Sequence, residues 1–180
     1  MTVQYTNKLL AGAEFPMIKV PLYEGGERVL GHVEEGFDWQ LVVIYRGRHC
    51  PLCTKYLNQL QDYKAQLAAL GVSIIAVSGD SKAQLEQHIP ELKIDLPLAY
   101  GLTTDDMKIL GTYISDPRSA QETDHPFAEP ALYVVNERGT VQVVDISNNP
   151  FVRPDLDSLV NGLAWIKNPD NNYPIRGMHS

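Results

Sequence analysis

Tyr45-Arg46-Gly47-Arg48-His49-Cys50-Pro51-Leu52-Cys53 decides how this chain is read, because it contains both of the chain's cysteines. Residues 39–45 (WQLVVIY), just upstream, are apolar and rich in β-branched and aromatic side chains, which predicts a buried strand. Downstream, Leu52, Tyr56, Leu60, Tyr63, Leu67 and Leu70 recur at spacings of four and three, which predicts one face of a helix ended by Gly71. Pro51 suits the first helical position, where its fixed φ helps and its missing N–H costs nothing. Cys50 then falls at or beside the N-cap, and Cys53 falls in the first turn.

A helix N-terminus presents unpaired N–H groups and a partial positive charge, and both favour thiolate over thiol. Arg46, Arg48 and His49 add cationic or titratable groups close by. Two thiols at this spacing can close a disulfide with each other, one attacking and the other resolving. A CxxC placed between strand and helix in a βαβ pattern reads as a thioredoxin-like redox motif. Other uses of the pair fit less well. A closed zinc site needs four ligands, but there is no second CxxC, and His32, His88, His125 and His179 are scattered. Haem attachment needs His after the second Cys, where the chain has Thr54. A packed pair of small hydrophobes is at odds with the Arg-Gly-Arg-His run beside it. No metal or cofactor is expected.

The 180 residues suit a single domain, with a core over about 12–167 and an irregular tail at 168–180. A net charge of −7 without a basic cluster disfavours nucleic acid as a partner. No apolar run reaches the length of a membrane span. Residues 1–7 (MTVQYTN) lack a basic segment followed by a long apolar one, so no signal peptide is expected. With few cysteines as well, the expected setting is a reducing cytoplasm, where a cysteine pair is more often catalytic or sensing than a structural staple.

In chain order, Phe15, Ile18 and Val20 predict an edge strand among prolines, residues 24–27 a turn, and residues 29–33 a second short strand. Residues 72–78 (VSIIAVS) predict a strand buried on both faces, which completes a right-handed βαβ unit. Ser78 or Asp80 is the expected cap of a helix over 81–89 that Pro90 stops. Residues 96–100 read as extended, and Thr104 as the cap of a small helix with Met107 and Leu110 facing inward. Residues 113–130 read as a long polar loop. Residues 131–135 (ALYVV) and 140–146 predict a hairpin around the turn 136–139. Residues 154–167 predict a final helix buried through Leu156, Leu159, Val160, Leu163 and Ile166. The fold class expected is α/β: a mixed sheet with helices on both faces, the thioredoxin-like arrangement, with an N-terminal extension.

From about 12 to 167, the chain resembles peroxiredoxin-like proteins of the alkyl hydroperoxide reductase and thiol-specific antioxidant family, within the thioredoxin-fold superfamily. The likeness rests on residues 12–16 (GAEFP), the strand before Cys50-Pro51-Leu52-Cys53, residues 71–80 (GVSIIAVSGD), Leu96-Pro97-Leu98 and residues 129–139 (EPALYVVNERG). It implies an oxidoreductase that reduces peroxides with electrons from thiols. Where such proteins carry Thr three residues before the attacking Cys, this chain has Cys50, which puts Cys53 at the peroxidatic position. The proline that usually lies seven residues before that Cys is Arg46 here. The family's peroxide-orienting Arg, just before strand 131–135, is Pro130 here, which instead matches the cis-proline facing the CxxC of thioredoxins. Two role assignments stay open: Cys50 as an exposed nucleophile resolved by Cys53, or Cys53 as the peroxide-attacking thiol resolved by Cys50. In both, Arg46, Arg48 and His49 favour the thiolate, and Pro130 presents backbone beside the sulfurs. The partners implied are a peroxide or disulfide substrate and a thiol reductant such as thioredoxin or glutathione, and a homodimer is compatible with the resemblance. The alternative function is a redox-responsive interaction module without turnover.

Overall fold

The computed structural model describes residues 7–180, so part of the predicted lead-in, residues 1–6, lies outside the described residues. Nine strands and five helices are described: β1 (Lys19–Pro21), β2 (Glu27–Val29), β3 (Trp39–Ile44), α1 (Pro51–Gln61), α2 (Lys64–Ala69), β4 (Val72–Val77), α3 (Lys82–His88), β5 (Leu98–Ala99), α4 (Thr104–Leu110), β6 (Ile114–Ser115), β7 (Phe127–Ala128), β8 (Ala131–Val135), β9 (Val141–Ile146) and α5 (Leu156–Lys167).

The main sheet has five strands in the order β5-β4-β3-β8-β9. β3 runs parallel to β4 and antiparallel to β8, β4 runs parallel to β5, and β8 and β9 form the expected hairpin. Every residue of β3, β4 and β8 is buried, as their unbroken apolar runs predict. Successive side chains go to opposite faces. Leu41, Val43, Ile74, Ala76, Leu132 and Val134 pack under α1, α2, α3 and α5. Val42, Ile44, Ile75, Val77, Tyr133 and Val135 pack against Met107 and Leu110 of α4 and against the N-terminal segment. Helices therefore flank both faces.

The local differences from expectation have physical reasons. The cysteine helix is two helices, broken at Asp62 and Tyr63. Its buried face is Cys53, Tyr56, Leu57 and Leu60, whereas Leu52 is 39% exposed because the first turn projects past the end of the sheet. Gly71 follows α2 at φ +78°, and a Cβ there would meet the Asp38 carboxylate at 2.6 Å, so the site requires glycine. Ser81, not Ser78 or Asp80, caps α3 through a reciprocal box with Gln84, and Thr103, not Thr104, caps α4 in the same way with Asp106. Pro90 does not stop α3 directly but sits inside a 3-10 turn at Ile89–Glu91. The second short strand is Glu27–Val29 rather than 29–33, and it pairs with β1 in a ribbon of its own. The stretch just after β2 satisfies the buried Gln40 on β3, which accepts from the Gly31 N–H and donates to the His32 carbonyl. The segment at 113–130 is not all loop, because β6 and β7 pair at its two ends.

Candidate active site

β3, β4 and β9 end, and β8 begins, at one edge of the sheet. Ligands in open α/β sheets gather at the carboxyl ends of strands. Here that edge assembles Arg46 after β3, Asp80 after β4, Glu129 and Pro130 before β8, and Arg153 after β9.

Cys50 is the N-cap of α1, with extended φ −111° and ψ 98°, and Pro51 follows it in the first turn. Its sulfur accepts the Cys53 backbone N–H at 3.2 Å. The Cys53 thiol and the Arg46 guanidinium are the side chains that favour its thiolate. The Cys53 thiol, the Cys53 N–H and Arg46 together outweigh burial and lower the Cys50 pKa to about 6. Cys53 is pushed the other way, first because its proton serves Cys50 and then by burial, with Arg153 opposing both. The pair therefore holds one thiolate and one thiol near neutral pH. Both sulfurs belong to buried residues: Cys50 is 1% exposed and Cys53 is fully buried, so the exposed nucleophile expected from sequence is a covered one.

Of the two arginines in the loop before α1, Arg46 is the one that turns inward. Its Nε lies 3.2 Å from Glu129 Oε2 and its other end 3.9 Å from Glu122 Oε1, while its guanidinium lies 4.7 Å from the Phe127 ring centre. All three partners belong to segment 113–130, which is thus pinned to Arg46. The Nε–Oε2 contact is an ion pair without hydrogen-bond alignment, because neither atom has a hydrogen-bond partner among the described residues. Arg46→Met is expected to move the pH midpoint of Cys50 alkylation upward and to lower stability by about 3 kcal/mol, since Glu129 keeps a buried charge without its partner. A pH series of iodoacetamide rates and a denaturant melt check the two parts.

Arg48 and His49 are placed differently from Arg46. The Arg48 side chain is exposed, and only its backbone N–H is fixed, donating to Asp80 Oδ2 at 2.7 Å. Burial, and then the charge of Arg46, hold His49 toward its neutral form, and its ring packs on Phe127 at 4.5 Å. Neither His49 ring nitrogen has a partner among the described residues. Both residues line an open polar cavity of about 640 Å³ with Arg118 and Glu122.

Several site residues carry no local signal in the sequence. Buried Asp80 also accepts from His125 at 3.1 Å, which ties segment 113–130 to the strand end. Fully buried His88 meets the Thr54 hydroxyl at 2.7 Å, behind the Cys50 carbonyl. Arg153 reaches Cys53 from 100 residues away, its terminal nitrogen donating to the sulfur at 3.3 Å. Pro130 is preceded by a trans peptide, which corrects the cis expectation, and it borders a small void that Arg153 shares. The Pro130 carbonyl is already engaged by the Ser147 N–H, which ties this stretch to the end of β9.

The model of the AhpC/TSA family matches residues 11–144. A peroxiredoxin of Methanococcus maripaludis is 23% identical over 172 residues, covering 92% of this chain and 75% of that protein. Among solved structures, the peroxiredoxin-like protein of Aquifex aeolicus superposes with a TM-score of 0.71 at 18% identity, covering 88% of each chain. The reduced 2-Cys peroxiredoxin of Plasmodium vivax superposes with a TM-score of 0.72 at 17% identity, covering 89% of this chain and 83% of that one.

Proposed function

This chain belongs to the AhpC/TSA family, and from that premise we propose that it is a thiol-dependent peroxide-reducing oxidoreductase whose working group is the Cys50–Cys53 pair. The observation that carries the reading is the Cys50 sulfur at the start of α1, accepting from the Cys53 N–H at 3.2 Å with Arg46 beside it. Peroxide reduction needs a thiolate, and these donors favour one at Cys50 and disfavour one at Cys53.

In this reading the Cys50 thiolate attacks one peroxide oxygen. The O–O bond breaks, the leaving oxygen takes a proton, and Cys50 becomes a sulfenic acid. Cys53 then condenses with it to form a disulfide, releasing water. A thiol reductant, of the thioredoxin or glutathione kind, returns two electrons. Pairing attacking and resolving sulfurs in one helix start makes the cycle intramolecular, with a high effective concentration of the second thiol.

The test is stoichiometric oxidation. One equivalent of hydrogen peroxide is expected to remove both thiols and to leave a Cys50–Cys53 disulfide visible by peptide mass spectrometry. Consumption of peroxide should continue when dithiothreitol is present. Alkylation of the reduced protein should follow a titration with its midpoint near 6. Two thiols surviving a molar equivalent of peroxide would end the enzyme reading and leave the non-catalytic interaction module.

A further inference from the structure

We infer that Arg153 is a catalytic residue for the second half of this cycle: its guanidinium holds Cys53 as a thiolate both when that sulfur attacks and when it leaves. The inference rests on the dithiol reading above and assigns the residue that makes Cys53 competent.

The geometry is specific. Arg153, in the stretch between β9 and α5, donates to the Cys53 sulfur at 3.3 Å. Its guanidinium lies 4.7 Å from the centre of the Tyr56 ring, and the Tyr56 hydroxyl donates to the Pro154 carbonyl at 2.7 Å. Tyr56 stands one helical turn after Cys53 on α1. One aromatic residue thus fixes both the cation's head and the backbone that carries it. Arg153 makes no ion pair among the described residues, and its Nε has no hydrogen-bond partner among them, so its charge is not spent on a carboxylate. The carboxylate of Asp145 borders the same small void, and burial holds it toward its neutral form.

Cys53 needs that charge. While Cys50 is a thiolate, the Cys53 proton is shared with it and burial opposes ionisation. Once Cys50 is a sulfenic acid, that thiolate is gone and Cys53 must lose its proton to act. The Cys53 thiolate attacks the Cys50 sulfur, the S–O bond breaks, and hydroxide takes up the proton that Cys53 released, leaving water and the disulfide. In reduction, a reductant thiolate attacks Cys50, the S–S bond breaks, and the electron pair goes to Cys53 beside Arg153. A leaving thiolate departs faster when its charge is stabilised.

The experiment is single-turnover oxidation of wild type, Arg153→Met and Arg153→Lys with hydrogen peroxide, quenched with dimedone and with an alkylating agent. Arg153→Met is expected to slow disulfide closure by about tenfold, as the loss of one charge-assisted hydrogen bond predicts, to accumulate dimedone-trapped Cys50, and to move the pH profile of closure upward. Arg153→Lys, which keeps the charge, should recover part of the rate. Closure in Arg153→Met at the wild-type rate and pH profile overturns the inference. Equal slowing of closure and of Cys50 alkylation also overturns it, by making Arg153 a structural residue. Failure of wild type itself to form the Cys50–Cys53 disulfide would instead overturn the dithiol reading.

Discussion

Cys50→Ser is expected to lower peroxide consumption about a thousandfold or more, to the rate of the uncatalysed reaction with the reductant, as loss of a nucleophile does in other enzymes. The Cys53 N–H donates to this sulfur, and the Cys53 thiol and Arg46 also favour its thiolate. A serine hydroxyl keeps the N-cap hydrogen bond but does not ionise near neutral pH. The fold should therefore survive while the chemistry stops. Cys53→Ser gives the contrast. Its Cys50 still attacks peroxide, but no second cysteine remains to resolve the sulfenic acid, so without added thiol one equivalent is consumed, no disulfide forms and dimedone labels Cys50. Peroxide consumption by the pre-reduced proteins without added thiol, read beside intact-protein mass, separates the two variants. The opposite pattern, with Cys53→Ser inert to the first equivalent and Cys50→Ser reactive, would reverse the roles of the sulfurs.

In the proposed cycle the same groups would set the redox balance. They stabilise the thiolate of the reduced form and are lost to it when the disulfide forms, so they favour the dithiol state and make the disulfide more oxidising. The sign with pH follows. A group whose pKa is lowered on folding adds stability above its unfolded value and loses it as pH falls through the folded one. The Cys50 contribution to the reduced protein is thus fully present above the ordinary thiol range and fades on acidification through about 6.

Gly47→Ala is expected to destabilise the fold by about 3–5 kcal/mol, from backbone strain plus a displaced buried carboxylate, and to lower activity with it. Gly47 has φ +135°, a conformation that L side chains rarely adopt. A Cβ there would lie 2.5 Å from Asp80 Oδ1 and 2.9 Å from Oδ2. Asp80 cannot simply yield, because it is buried and holds both the Arg48 N–H and His125. Moving it frees the turn that leads into Cys50 and releases segment 113–130. Gly139→Ala is the control: its φ is +74°, but nothing lies within 4 Å of the new Cβ, so only strain remains, about 1 kcal/mol. Thermal melts of the two variants should differ by several degrees. Equal melting points would show that the contact with Asp80 carries no weight.

Local rules determined much of this protein from its sequence. The runs at β3, β4 and β8 are apolar because both faces of those strands are covered, so period and composition alone reveal them. Cys50 at the N-cap and Pro51 in the first turn follow from chain chemistry within four residues. The tertiary structure decided what depends on distant chain meeting at one sheet edge. Of the three cationic or titratable neighbours of Cys50, only packing shows that Arg46 turns inward to Glu129, that Arg48 turns to solvent and that His49 is pressed against Phe127. Arg153 lies 100 residues from Cys53 and Glu129 lies 83 from Arg46, separations at which no sequence period speaks. The placement of segment 113–130 has the same origin: it is polar and proline-containing by composition, but its carboxylates fold onto Arg46, and the ion pairs hold it there. Sequence places a reactive sulfur at a helix start because that needs only neighbours along the chain; its charge balance and access depend on groups brought together by the sheet.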